Sequence, residues 1–235
     1  MLKYLTNNRP FFLKETCRTK IVSLVLSSIL KMEPQEKILK TSLDLFFRYG
    51  IKRVTMDDIA KELGMSKKTI YQFYKEKDDL VNQLCEVEMK KQEEIFRNIE
   101  KQSQDPIHEI ILISNTISEM MHHINPIFFL DLQKFHGNAF LQFQKFKEEC
   151  AFKDILRNIK AGKEIGVYRK DIDEEFTAKH RLAQIDMLMF GNYFSFEKIS
   201  FTQTHQLLLD MFVYGICTLK GHKLINEYKK INEQE

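Results

Sequence analysis

A chain of 235 residues that is 43% hydrophobic and 29% charged can build one large core or two modest ones, and that share of charge argues against both a disordered and a membrane-embedded protein. The net charge of +3 is unevenly placed: residues 1–31 hold six Lys or Arg against one acid, so from Met32 onward 30 bases face 32 acids and any attraction to nucleic acid must come from a local patch. The four cysteines, Cys17, Cys85, Cys150 and Cys217, are spread without ligand-like spacing, so they indicate neither zinc nor a disulfide framework and suit a reducing cytoplasm.

Within the basic leader, IVSLVLSSIL at 21–30 is too short to span a bilayer and no small-x-small cleavage site follows it. The leader reads either as a basic or weakly membrane-associating arm or as an over-long gene start ahead of Met32. The abrupt change of composition at Met32 favours the second, and no function is assigned upstream of it.

From Pro34 the apolar periodicity is helical. Residues 34–49 place Leu39, Leu43 and Phe46 on one stripe, with Pro34 suited to the first turn and Gly50 to the stop. Residues 56–63 form a second helix, with Thr55 as N-cap, Asp58 three residues on, and Gly64 at the end. Residues 67–73 form a third, capped by Ser66. Only Gly64-Met65-Ser66 separates the last two, which is the spacing of a helix-turn-helix.

Long helices follow at 76–102, 106–123, 126–134 and 138–162, then a loop at 167–173 and helices at 174–195 and 203–229. No strand-like alternation persists, so the fold expected is all-α. The expected organisation is a leader at 1–31, a helix-turn-helix domain at 32–80 and a larger helical domain at 81–235.

Between Arg48 and Lys77 lie eight bases against four acids, the local patch that the overall charge conceals. On the third helix Ile70 and Phe73 can pack inward, leaving Lys67, Lys68, Thr69, Tyr71, Gln72 and Tyr74 facing outward or sideways. Lys reaches guanine edges or phosphates and Gln pairs with adenine in the major groove. A Tyr hydroxyl suits a phosphate oxygen. Lys77, in the first turn of the next helix, combines a cation with free amide groups, and the hydroxyls of Thr55 and Ser66 stand at helix starts in the same way. On periodicity alone, a solvated basic surface accounts for these residues about as well as DNA binding does.

Residues 36–84 also carry Phe46-Phe47-Arg48-Tyr49-Gly50, then V-T-x-x-x-I-A-x-x-L-G-x-S from Val54 to Ser66, then T-I-Y-x-x-F/Y-x-x-K-x-x-L from Thr69 to Leu80. This resembles the N-terminal DNA-binding domain of TetR-family regulators over about a fifth of the chain. The resemblance implies phosphate contacts for Thr55, Tyr71 and Lys77 and base-facing roles for Lys67, Lys68 and Gln72. Phe73 departs from the family's usual His or Tyr and cannot hydrogen-bond; Tyr74, where Phe is usual, is the residue whose hydroxyl would compensate.

The resemblance further implies a homodimer on a palindromic operator in double-stranded DNA, joined through the last two helices, with Leu182, Met189, Leu208, Phe212 and Ile216 as interface candidates. Met120, Met121, Phe128, Phe129, Phe140, Phe143 and Met187 are candidates for an apolar pocket holding an unidentified small molecule, or else plain core. His122, His123 and His136 are read as solvated or hydrogen-bonded rather than metal ligands, because adjacent histidines on a helix diverge by about 100°. No nucleophile, P-loop, zinc or dinucleotide motif is found, and no cofactor, membrane partner or enzymatic activity is expected. The competing readings are a helical protein-docking adaptor with secondary or lost DNA binding, and a small helical enzyme without a recognisable motif.

Overall fold

The structure, a computed structural model, describes residues 33–191, 193–194 and 199–230. The leader at 1–31 lies outside the described residues. The fold is all-α; among the described residues no strand forms and no helix is long and apolar enough to cross a membrane.

Three helices come first among the described residues: α1 (Pro34–Tyr49), α2 (Met56–Leu63) and α3 (Lys67–Phe73). Their limits are set by local chemistry. Gly50 stops α1 at φ +81°, a conformation that costs an L side chain dearly, and its N–H bonds the Phe46 carbonyl at 2.9 Å. Thr55 and Asp58 form a reciprocal capping box on α2: the Asp58 amide donates to Thr55 Oγ1 at 3.2 Å, and the Thr55 amide donates to Asp58 Oδ2 at 2.8 Å. Ser66 Oγ accepts the Thr69 amide at 3.1 Å and starts α3. Ile38, Phe46, Ile51, Ile59, Ile70 and Leu80 are all but fully buried where these helices meet the start of α4 (Lys77–Gln102).

The larger C-terminal domain comprises α5 (Pro106–His122), α6 (Ile127–Phe135), α7 (Gly137–Phe146), α8 (Phe152–Glu164), α9 (Glu174–Phe190), α10 (Phe201–Ile216) and α11 (Leu219–Lys229). The helix expected at 138–162 is a rod in which α7 passes through one π turn, Lys147–Ala151, into α8. The single helix expected at 203–229 is two. Its break at Cys217-Thr218 comes from the loop before α9: Thr218 N–H bonds the Val167 carbonyl at 3.0 Å, and Arg169 N–H bonds the Ile216 carbonyl at 2.9 Å. Tyr168 lies under α8 so closely that a Cβ on Gly162 would sit 2.0 Å from its ring.

The N-terminal helices are tied to this larger domain. Asn125 N–H donates to the Phe47 carbonyl at 2.7 Å, and the buried His136 bonds Asp78 of α4 at 2.7 Å. The long helix α4 belongs to both parts: Leu80, Val81 and Leu84 are buried with the first three helices, while its later turns wall the cavities described below.

Candidate nucleic-acid interface and ligand cavities

Helix α3 is anchored through Ile70, which is 0% exposed, and presents its other faces to solvent. Lys68, Tyr71 and Gln72 are exposed and make no hydrogen bond or ion pair among the described residues. Lys67 is exposed but pairs with Asp57 of α2. Thr69 is half-buried, its hydroxyl 2.8 Å from that of Ser66. Thr55 is exposed, yet its hydroxyl is engaged at both ends by Asp58, and that hydrogen bond holds the Asp58 carboxyl below its usual pKa.

Two expectations change. Phe73 and Tyr74 exchange roles: Phe73 is 40% exposed and Tyr74 only 2%. The chain becomes extended at Tyr74 (φ −133°, ψ 115°), which turns its ring into the core beside Ile70 and leaves Phe73 outside. Burial raises the pKa of the Tyr74 hydroxyl, and that hydroxyl is not placed to meet DNA. Lys77 is half-buried and turned back: its ammonium donates to the Ile51 carbonyl at 2.5 Å and lies 5.7 Å from the centre of the Phe46 ring. Desolvation lowers the Lys77 pKa, while Asp131, Asp78 and Asp58 act in the opposite sense. In this conformation it braces the α1–α2 turn.

Two apolar cavities follow one another along α4 and α5. The one nearer the N-terminal domain has a volume of about 120 Å³ and is lined by Met120, Met121, Phe128, Phe129 and Phe143, among others. Phe140 instead packs edge-on against Phe190 at 5.3 Å, and Met187 lines neither cavity. Met189, expected at a dimer interface, is part of this wall.

The second cavity has a volume of about 110 Å³ and is lined mainly by Ile and Phe of α4, α5, α8 and α10. Sequence reasoning missed its polar residues. Arg181 of α9 is 7% exposed and His205 of α10 is 3% exposed. Burial lowers the Arg181 pKa to about 10, so it stays protonated at neutral pH; burial and the Arg181 charge lower His205 to about 4. A signal was present: Arg181 falls on the same stripe as the buried Ala178 and Leu182, and His205 lies between Phe201 and Leu209.

The interface candidates Leu182, Phe212 and Ile216 are at most 8% exposed, buried in the protomer's own core by the i, i+4 stripe that faces inward. Leu208 is half-buried beside the Phe201 cluster. The apolar side chains that α9 and α10 expose are others: Phe176 (71%), Leu207 (54%) and Met211 (74%). Among the described residues no group of His, Cys, Asp or Glu is arranged to hold a metal ion.

Two short capped helices joined through Gly64, the second anchored by one buried face, form a helix-turn-helix, the motif by which DNA-binding proteins set a helix in the major groove. The defining pattern of the bacterial regulatory proteins of the tetR family matches residues 38–84. The HTH-type transcriptional regulator YvaF of Bacillus subtilis, itself uncharacterized, is 29% identical over 150 residues, covering 57% of this chain and 79% of that protein. A transcriptional regulator from Saccharomonospora viridis in complex with choline shares the fold at TM-score 0.62 and 20% identity, over 78% of this chain and 97% of that one. FadR from Bacillus subtilis in complex with stearoyl-CoA does so at TM-score 0.61 and 16% identity, over 77% and 98%. Residues 38–84 thus match the tetR family pattern, and the chain as a whole shares its fold with transcriptional regulators of known structure.

Proposed function

We propose that this protein is a ligand-controlled repressor that binds a palindromic operator as a homodimer in the cytoplasm and leaves it when a small apolar molecule occupies the C-terminal domain. The observation that carries the reading is the rigid presentation of Lys68, Tyr71 and Gln72, exposed and unengaged on a helix fixed by Ile70 and Ser66. The DNA-binding domain spans 32–80 and the ligand-binding and dimerisation domain 81–235. Two copies joined through the exposed apolar face of α9 and α10 set two recognition helices on half-sites about one DNA turn apart.

Helix α4 supports the coupling. Leu80 and Val81 pack with the DNA-reading helices, Met89 and Gln92 wall the nearer cavity, and Phe96 walls the farther one. A ligand shifts α4 only to the extent that it prefers the displaced state.

The test is a gel shift with DNA from upstream of the protein's own gene. Binding should be specific and should weaken steeply with salt, as phosphate contacts release counterions. Affinity no greater than for random DNA would overturn the reading.

A further inference from the structure

We infer that the cavity between α5, α8, α9 and α10 is a site for an apolar carboxylate, its head group held by Arg181 and His205 and its body by the surrounding Ile and Phe side chains. This deepens the reading above by naming the ligand class and rests on its premise that the C-terminal domain takes a small molecule.

The argument is one of charge balance. Arg181 Nη1 donates to Gln184 Oε1 at 3.0 Å, Nη2 lies 3.4 Å from His205 Nε2, and the guanidinium carbon stands 5.7 Å from the centre of the Phe212 ring. Among the described residues none of these partners is negative, and a buried guanidinium without a counter-ion is costly. Two acids nearby, Glu109 and Asp210, are committed elsewhere. Glu109, in the same wall, gives one oxygen to Arg157 at 2.5 Å and the other to Asn158 at 2.8 Å. Asp210 is held by Lys229 and Gln206. Asp154 also lines the cavity, where burial raises the pKa of its carboxyl and the Arg157 charge opposes that rise.

Histidine 205 strengthens the case. Its Nε2 accepts from Arg181, so its proton sits on Nδ1, and Nδ1 is buried with no partner among the described residues. One cationic fork and one orphan donor, facing the Ile, Leu and Phe side chains of a largely apolar wall, complement two anionic oxygens at the end of a hydrocarbon body. A planar carboxylate matches the fork in bidentate fashion. A quaternary ammonium meets an unpaired cation and is repelled.

The test is calorimetric titration of the full-length protein with octanoate, dodecanoate and hexadecanoate, against dodecanol, dodecanoyl-CoA and dodecyltrimethylammonium. At least one free carboxylate should bind, one per chain, and dodecanol roughly tenfold or more weaker than dodecanoate, the worth of a charge-assisted hydrogen bond. Arg181→Met keeps the side-chain volume and removes the unpaired charge, so the ligand-free variant should melt no lower than the parent while losing the preference of carboxylate over alcohol.

Equal binding of dodecanoate and dodecanol, binding of the thioester or the ammonium in place of the acid, no binding of any carboxylate, or a preference that survives in Arg181→Met would overturn the inference. Gel shifts with the same compounds separate the two readings. A carboxylate that binds without releasing DNA leaves this site standing and removes ligand control. Release by a different class of compound does the reverse.

Discussion

Asp131 Oδ2 on α6 accepts the backbone N–H of Lys52 at 2.8 Å, a bond from the C-terminal domain to the turn between α1 and α2. Asp131 is only 6% exposed, and Gly50 passes so close that a Cβ there would meet Asp131 Oδ2 at 2.8 Å and Ile127 Cγ2 at 2.7 Å. This seam is therefore both hydrogen-bonded and shape-matched. It fixes the turn between α1 and α2 against the domain that carries the cavities.

Asp131→Ala leaves the Lys52 amide without its partner in a part-buried place. The expected cost is about 1–3 kcal/mol of stability. Gly50→Ala should be at least as damaging, since a φ of +81° and two sub-van-der-Waals contacts act together. Urea unfolding of both variants measures this. Stability unchanged in Asp131→Ala would show that water replaces the carboxylate and that the seam is not what holds the two parts together.

Acidification should unfold the protein partly through His205. Its ring titrates near 6.5 when unfolded and near 4 when folded, because burial and the Arg181 charge disfavour its cation. Between those values the unfolded chain holds a proton that the folded chain does not. The stability contributed by neutral His205 is thus fully present above about pH 6.5 and lost as pH falls toward about 4, at up to about 1.4 kcal/mol per pH unit. His205→Asn lacks this proton. Chemical denaturation of parent and variant across that window should give curves that converge as pH falls; parallel curves would refute the assignment.

What the sequence discloses and what it conceals divide along a physical line. The limits of α1, α2 and α3 were legible because each is set by residues a few positions apart: Thr55 with Asp58, Ser66 with Thr69, Gly50 and Gly64 at the ends. The break between α10 and α11 was not, because a loop some fifty residues away makes it by taking the amide of Thr218 onto the carbonyl of Val167. Tyr74 was misplaced for a related reason. A helical wheel assigns it an angle, but the chain has already left the helix at that residue. The Met and Phe stripe of the nearer cavity could be read from composition. The charge pairing that leaves Arg181 without an anion among the described residues could not, because it depends on which acids of other helices are spent on Arg157 and Lys229.

The exposed face of α10 should control assembly. Leu207 and Met211 lie one turn apart on its outer side, and Gly215, a turn further, has open space around it. Phe176 continues the apolar surface on α9. Met211→Glu places a charge there without touching the protomer's core. The expected result is a monomer by light scattering with an unchanged circular dichroism spectrum. Affinity for a two-half-site operator should fall about a hundredfold or more, since the second contact ceases to be intramolecular. A Met211→Glu protein that stays dimeric would move the interface elsewhere.

The ion pair between Lys67 and Asp57 sets the last expectation. Both side chains are more than half exposed, so the pair is screened and weak, and a phosphate or a base edge can compete for the lysine. Asp57 also puts a negative charge beside the exposed face of α3, the surface proposed to meet DNA. Asp57→Asn should therefore free Lys67 and tighten binding to operator by roughly two- to fivefold at low salt, the scale of an exposed pair. The plot of log affinity against log salt should steepen by up to about one unit if the released lysine reaches a phosphate. Lys67→Ala should move both quantities the other way, and the double variant should resemble Lys67→Ala. If Asp57→Asn changes neither affinity nor slope while the fold is intact, Lys67 does not face the duplex, and base reading falls to Lys68 and Gln72.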